Sequence, residues 1–161
     1  MRHVYWVIDG LLAGRPGPVF EPWDPAELYA EGLRTVISLA TEEIVEDLAP
    51  YGLLHHRAQF PPVVLRSNGM RKAFIHQMLP VWRLIDEQIA LGRPTMVHCH
   101  AGQDRTGVVL AGYLVTYRGE PPERALRKLR EVKPGAMTAE GYAEVLELLR
   151  PGVIPDPRGL L

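Results

Sequence analysis

The chain predicts a single-domain α/β fold, a central and mainly parallel sheet flanked by helices. Three observations carry that prediction. Short β-branched runs alternate with helical patterns through the first hundred residues, and helical patterns fill the rest. Gly and Pro, 15 of each, punctuate these segments instead of gathering in a low-complexity tract. At 161 residues, 47% of them hydrophobic, the chain can build one domain with a full core.

Taken in order, Val4–Ile8 and Leu11–Gly14 read as two strands joined at Asp9-Gly10, a hairpin signal. Asp24-Pro25 supplies an N-cap and a first-turn proline to a helix that Gly32 ends. Thr35–Leu39 is a buried strand. Thr41, with Glu42 and Glu43 behind it, predicts a helix start, closed by Pro50 and Gly52. Leu53–Gln59 is again a strand, and residues 60–69 are a loop. From about 71 to 91, Phe74, Met78, Val81, Trp82, Ile85 and Ile89 recur at helical spacing, with Pro80 expected to kink the helix. Pro94–Cys99 predicts a short strand, and 106–117 a helix apolar nearly all round, hence central. Amphipathic helices follow at 121–132 and 138–149. Residues 151–161 read as a loose C-terminal tail, which leaves the domain over 1–150.

Composition excludes several classes of function. The 18 basic residues stand against 19 acidic ones, so there is no electrostatic footprint for nucleic acid or an anionic membrane. No apolar run approaches the roughly 20 residues that span a bilayer. The first run, Val4–Ile8, stops at Asp9, short of a signal peptide. A single cysteine excludes an intramolecular disulfide framework and a cysteine-rich zinc site. His55 and His56 point to opposite faces of a strand and lack a third ligand, so no metal site is expected. His76 falls on the solvent side of its helix, while Trp6, Trp23 and Trp82 read as packing residues and Tyr113 and Tyr117 as core. The expectation is a soluble, cytoplasmic monomer with no metal or organic cofactor.

The one cysteine lies in His98-Cys99-His100-Ala101-Gly102-Gln103-Asp104-Arg105-Thr106-Gly107, between a strand and the most hydrophobic helix. This layout suits a tetrahedral oxyanion. A loop closing onto a helix N-terminus aims backbone N–H groups at one spot, where the helix dipole adds positive potential. Gly102 permits backbone conformations closed to other residues. Arg105 offers a planar fork for two oxygens. The electropositive cradle favours the thiolate of Cys99, and a thiolate beneath a bound phosphate is an in-line nucleophile. Cys-x5-Arg alone is a weak signal. With the preceding His, the Gly at +3 and the Thr at +7, the composition odds fall to the order of 10⁻⁵.

This loop resembles the signature of cysteine-dependent protein-tyrosine phosphatases, most closely the compact dual-specificity type. The resemblance extends to the Ile8–Gly14 hairpin, to Leu28 with Gly32–Leu39, and to Lys133-Pro134-Gly135-Ala136. It implies a dual-specificity-phosphatase-like sheet and covalent catalysis. Cys99 would form a phosphocysteine, while Arg105 and the amides of His100, Ala101, Gly102, Gln103 and Asp104 would hold the phosphate. Thr106 would hydrogen-bond the departing sulfur, and His98 would brace the loop. The implied partner is a phosphorylated protein, phosphotyrosine foremost. Asp104-Arg105-Thr106-Gly107 also resembles a bacterial subgroup acting on tyrosine phosphates and sometimes lipid phosphates.

The sequence departs from that pattern in three places. Such phosphatases keep a proton-donating Asp on a loop about 30 residues before the cysteine. Here no Asp or Glu occurs between Asp47 and Asp86. Asp104 is the candidate substitute, against the alternatives of an N-cap for the next helix or a partner for an arginine. The loop contains no Lys, which disfavours polyphosphorylated inositides, although Arg66, Arg71 and Lys72 could supply charge or simply coat a helix start. The stretch Thr138–Tyr142 lacks the Gln that often positions water. Two alternatives remain: a small-molecule phosphatase acting on an inositol, nucleotide or RNA 5′ phosphate, and a non-catalytic phosphate-binding module. Rhodanese-type sulfur transfer also uses a cysteine loop, but the residues flanking Cys99 disfavour it.

Overall fold

The structure, a computed structural model, describes residues 2–160. Five strands, β1 (Tyr5–Ile8), β2 (Leu12–Arg15), β3 (Thr35–Ala40), β4 (Leu54–Phe60) and β5 (Thr95–His98), form one sheet in the order β1-β2-β5-β3-β4. The β1–β2 hairpin is antiparallel and every other pairing is parallel, as the sequence predicts. The central strand β5 pairs His98 with Arg15 of β2 on one side and Ser38 of β3 on the other. Three strands thus end level, and the chain leaves β5 into the crevice at their carboxyl ends, where α/β sheets bind ligands.

Helices α1 (Pro25–Ala30), α2 (Asn68–Ala90), α3 (Arg105–Thr116), α4 (Pro122–Val132) and α5 (Tyr142–Val145) complete the domain. Every residue of α3 is buried. It packs with α2, α4 and α5 in the main core, which takes Ile37, Leu39 and Val97 from the sheet. A smaller core of Leu28, Leu33, Val36, Val45, Leu48, Leu53 and Met96 holds α1 and the 41–48 loop. Strand alternation therefore places Ser38 and His98 on the same face as Val36 and Met96, and Cys99 on the other.

Two helix expectations are corrected. No helix forms over 41–48; the segment is irregular and ends in a 3₁₀ turn at Ala49–Tyr51. A helix that short has little stability of its own, and tertiary contacts of Glu42 and Glu43 override it. The helix expected over 138–149 shrinks to α5 plus a 3₁₀ turn at Leu146–Leu148. Gly141 is the reason: its φ of +90° is left-handed, and a Cβ there would collide with the Leu65 carbonyl. Helix α2 runs unbroken through Pro80, with Met78, Val81, Trp82 and Ile85 on either side of it fully packed. Residues 151–160, expected as a loose tail, carry an Arg150–Val153 bridge and a 3₁₀ turn at Pro157–Leu160, with Leu160 against the main core.

Candidate active site

The loop from Cys99 to Asp104 joins β5 to α3 and is shaped from outside. The Cys99 carbonyl accepts from His98 Nδ1 at 3.0 Å. The His100 carbonyl accepts from the Gly17 amide at 2.8 Å, and the Gln103 carbonyl from the Met137 amide at 3.1 Å. The Gly102 carbonyl accepts from the Tyr5 hydroxyl at 2.6 Å, and the Asp104 carbonyl from the Val108 amide at 3.0 Å. In a trans peptide the next residue's N–H points opposite to the carbonyl. Carbonyls held outward therefore turn the amides of His100, Ala101, Gln103, Asp104 and Arg105 inward, toward the N-terminus of α3. Gly102 makes the turn possible with φ +72°, pressed against the Arg15–Pro16 backbone. The result is an anion nest.

Arg105 is the nest's cation, and its donors can be counted. A guanidinium has five N–H groups. Nη1 gives its two to Glu42 Oε1 and the Phe60 carbonyl, both at 2.8 Å, and Nη2 gives one to Glu42 Oε2. Among the described residues one N–H on Nη2 and the Nε–H remain, side by side, as a fork for two oxygens. Burial pulls the Arg105 pKa down, but the Glu42 hydrogen bonds and the nearby Cys99 more than offset it, so the net shift is upward. The same hydrogen bonds hold the Glu42 carboxyl below its ordinary range.

Cys99, Arg105 and Asp104 line one cavity of about 230 Å³ with Glu42, Pro62, Val63, Val64, His100, Ala101, Gln103, Ala139 and Tyr142. Cys99 is only 2% exposed, at the base. Asp104 occupies the N-cap position of α3 but its side chain makes no capping hydrogen bond; its Oδ1 accepts from the Ala139 amide at 3.1 Å, tying the loop to the 138–142 turn. The hydroxyl of Thr106 is buried without a hydrogen-bond partner among the described residues. Tyr142 donates to the Val63 carbonyl at 2.6 Å, and burial, the largest cause, pushes its pKa up to about 12. Arg66, Arg71 and Lys72 are not among the cavity-lining residues; Arg66 faces Glu140 and Arg71 bonds Asn68.

Sequence reasoning assigned Glu42 and Glu43 to a helix start and missed their role. Glu43 is a buried carboxylate that accepts from the Val19 amide at 2.8 Å and meets His100 Nδ1 at 3.0 Å. Two consecutive glutamates thus brace two loop side chains that lie far downstream. His98 is fully buried, with Trp23 edge-on at 5.0 Å, and burial, the dominant cause, lowers its pKa to about 4. The ring is therefore neutral across the physiological range.

Known proteins share this architecture. A family profile, Tc-R-P, the DSP-PTPase phosphatase of polymorphic toxin systems, matches residues 21–120. Dual specificity protein phosphatase 12 from Homo sapiens is 38% identical over 142 residues, covering 88% of this chain and 40% of that protein. Phosphatidylglycerophosphate phosphatase PTPMT1 from Arabidopsis thaliana is 28% identical over 123 residues, 76% of this chain and 36% of that protein. The chain spans about two fifths of the length of these curated relatives. Tk-PTP in its active form superposes with TM-score 0.74 at 24% identity, covering 91% of this chain and 95% of its own. Human DUSP28 gives 0.74 at 14% identity, covering 92% and 93%. With more than half its length matched and a sheet shared with dual-specificity phosphatases, the chain belongs to the DSP-PTPase phosphatase family.

Proposed function

We propose that this chain hydrolyses phosphomonoesters by covalent catalysis through Cys99, with phosphotyrosine in protein as the preferred substrate, in the reducing cytoplasm where a free thiol persists. The Cys99 thiolate attacks phosphorus, the ester P–O bond breaks, and Asp104 delivers a proton to the leaving oxygen. Arg105 and the inward amides carry the charge on the three equatorial oxygens. Water then attacks phosphorus, Asp104 takes its proton, and the S–P bond breaks with the Thr106 hydroxyl free to donate to the departing sulfur. Glu42 is committed to Arg105 and Tyr142 to the Val63 carbonyl, which supports assigning the proton transfer to Asp104, the other carboxyl lining the cavity.

The observation that carries this reading is a buried thiol beneath inward-turned amides and a guanidinium with one unused fork. Pro62, Val63, Val64 and Tyr142 give the cavity wall an apolar surface on which an aromatic ring can lie. The test is hydrolysis of p-nitrophenyl phosphate without added metal by wild type and Cys99→Ser. Loss of all turnover in the variant supports the mechanism. Equal rates in both refute the nucleophile and leave a phosphate-binding module.

A second reading, a phosphorylated glycerolipid, is favoured by exposed apolar residues beside His100 and its partner Glu43. Phe20 packs edge-on against His100 at 5.1 Å, and Ile44, 87% exposed, adjoins Glu43. The match to a phosphatidylglycerophosphate phosphatase points the same way. Parallel turnover of a phosphotyrosine peptide and a phosphorylated glycerolipid in mixed micelles decides between the two.

A further inference from the structure

Three side chains behind the cysteine form a chain of hydrogen bonds that reaches the flank of the sheet. His98 Nδ1 lies 3.0 Å from the Cys99 carbonyl, and its Nε2 lies 2.6 Å from Ser38 Oγ. Ser38 Oγ lies 2.8 Å from His55 Nε2. The register explains the alignment. Ser38 sits opposite His98, while His55 pairs with Val36, two residues before Ser38, so all three side chains share one face.

The direction of each bond follows from the donor inventory. A carbonyl only accepts, so His98 Nδ1 carries the proton. Burial, the largest cause in each case, lowers the pKa of both His98 and His55 to about 4, so each ring has a single N–H near neutrality. His98 Nε2 is then a bare acceptor, and the Ser38 hydroxyl must donate to it. With its proton committed, Ser38 Oγ accepts from His55, whose proton therefore sits on Nε2. The charged and titratable groups around the pair are Arg15 and Arg105 near His98, and Arg57, Asp47 and His56 near His55.

We infer that Ser38 and His55 are positioning residues for the nucleophile, because together they fix the His98 tautomer that holds the Cys99 carbonyl out of the cradle. This rests on the reading of Cys99 as nucleophile. His98 and Cys99 project from opposite faces of the sheet, so the histidine reaches the cysteine through its backbone carbonyl and not its sulfur. The alternative tautomer would set a ring lone pair against the carbonyl oxygen. The carbonyl would turn, and the His100 amide, part of the same peptide plane, would leave the nest.

Two measurements test the inference. In imidazole-¹⁵N-labelled wild type, long-range ¹H–¹⁵N spectra near neutral pH should report protonated Nδ1 for His98 and protonated Nε2 for His55. The opposite tautomer at His98 overturns the inference without any variant. Second, the pH profile of Cys99 alkylation by iodoacetamide is compared in wild type, Ser38→Ala and Ser38→Thr, from about pH 5 to about pH 9. Ser38→Ala should move the profile to higher pH and lower kcat/KM by about tenfold, the scale of one lost hydrogen bond. Ser38→Thr, which restores a hydroxyl, should return both to wild type. A Ser38→Ala protein that melts earlier but keeps the wild-type profile has a structural serine only, and the inference fails. Persistent turnover in Cys99→Ser would instead refute the nucleophile and leave the tautomers as measured.

Discussion

Replacing Glu42 by Gln isolates what the carboxylate does for Arg105. The variant keeps the size of the side chain and one acceptor, but removes the charge and sets an amide donor against Nη2. Arg105 is nearly buried and Glu42 is 30% exposed, so the pair sits between surface and interior. Hydrogen bonds to charged groups contribute about 1.5–3 kcal/mol, and partial exposure of Glu42 places the net loss near 2 kcal/mol. That corresponds to about a 30-fold fall in kcat/KM for p-nitrophenyl phosphate, since the fork is held less well for substrate and transition state alike. The same loss should lower the melting temperature by about 4–8 °C. The pH dependence follows from the lowered Glu42 pKa, set first by its hydrogen bonds to Arg105. The clamp's contribution is full above the ordinary carboxylate range and is lost as pH falls through the lowered value, so wild type and variant should converge in acid. Turnover measured with the sulfate dissociation constant decides the matter. A variant that binds sulfate more tightly with kcat/KM undiminished would refute the reasoning, because Glu42 would then compete with phosphate for Arg105.

Asp104→Asn should cost only a few-fold on an aryl phosphate but about 10²–10³-fold on an alkyl phosphate, whose leaving group needs the proton; equal small losses on both would exclude Asp104 as the acid. Gly102→Ala should abolish sulfate binding and destabilise the fold by about 2 kcal/mol, because a Cβ would lie 2.7 Å from the Arg15 carbonyl carbon at a left-handed φ; near-normal binding by calorimetry would show that the loop has room. His98 titrates near 4 when folded and near 6.5 when unfolded, so the unfolded chain binds the extra proton in between. Stability is then lost as pH falls through that window, by about 3 kcal/mol for this one residue. Melting curves of wild type and His98→Asn from pH 7 to 4 should diverge accordingly, and parallel curves would contradict the burial argument.

The loop was legible because its chemistry is contiguous: Cys99, Gly102, Asp104, Arg105 and Thr106 lie within eight positions, between elements with opposite periodicities. The mainly parallel character of the sheet could be anticipated as well, since short strands alternate with helical patterns, but the strand order could not, and β4 with its His-His-Arg stretch carries no buried-strand signal. The two glutamates were not legible. Their partners, Arg105 and His100, lie 63 and 57 residues away, and acidic residues after a Thr carry the same local signal whether they cap a helix or brace a distant loop. Ser38 was hidden inside a strand otherwise apolar enough to look purely structural. The strand argument about His55 and His56 was sound in placing them on opposite faces, but only the register with β3 shows which residue His55 meets. The short α5 escaped because Gly141 turns against Leu65, a contact no periodicity encodes.

The anchors of the anion loop come from the first strand, from residue 17, from the end of β5 and from Met137. An oxyanion seated in the loop therefore acts as a keystone between chain segments more than 130 residues apart in sequence. By mass action such a ligand raises the unfolding free energy by RT ln(1 + [L]/Kd), about 2.7 kcal/mol at a hundredfold excess over its dissociation constant. Occupancy and folding become two views of one equilibrium. A cell rich in phosphate would keep the chain more resistant to proteolysis while occupying its own site, and phosphate released by turnover would feed back on both.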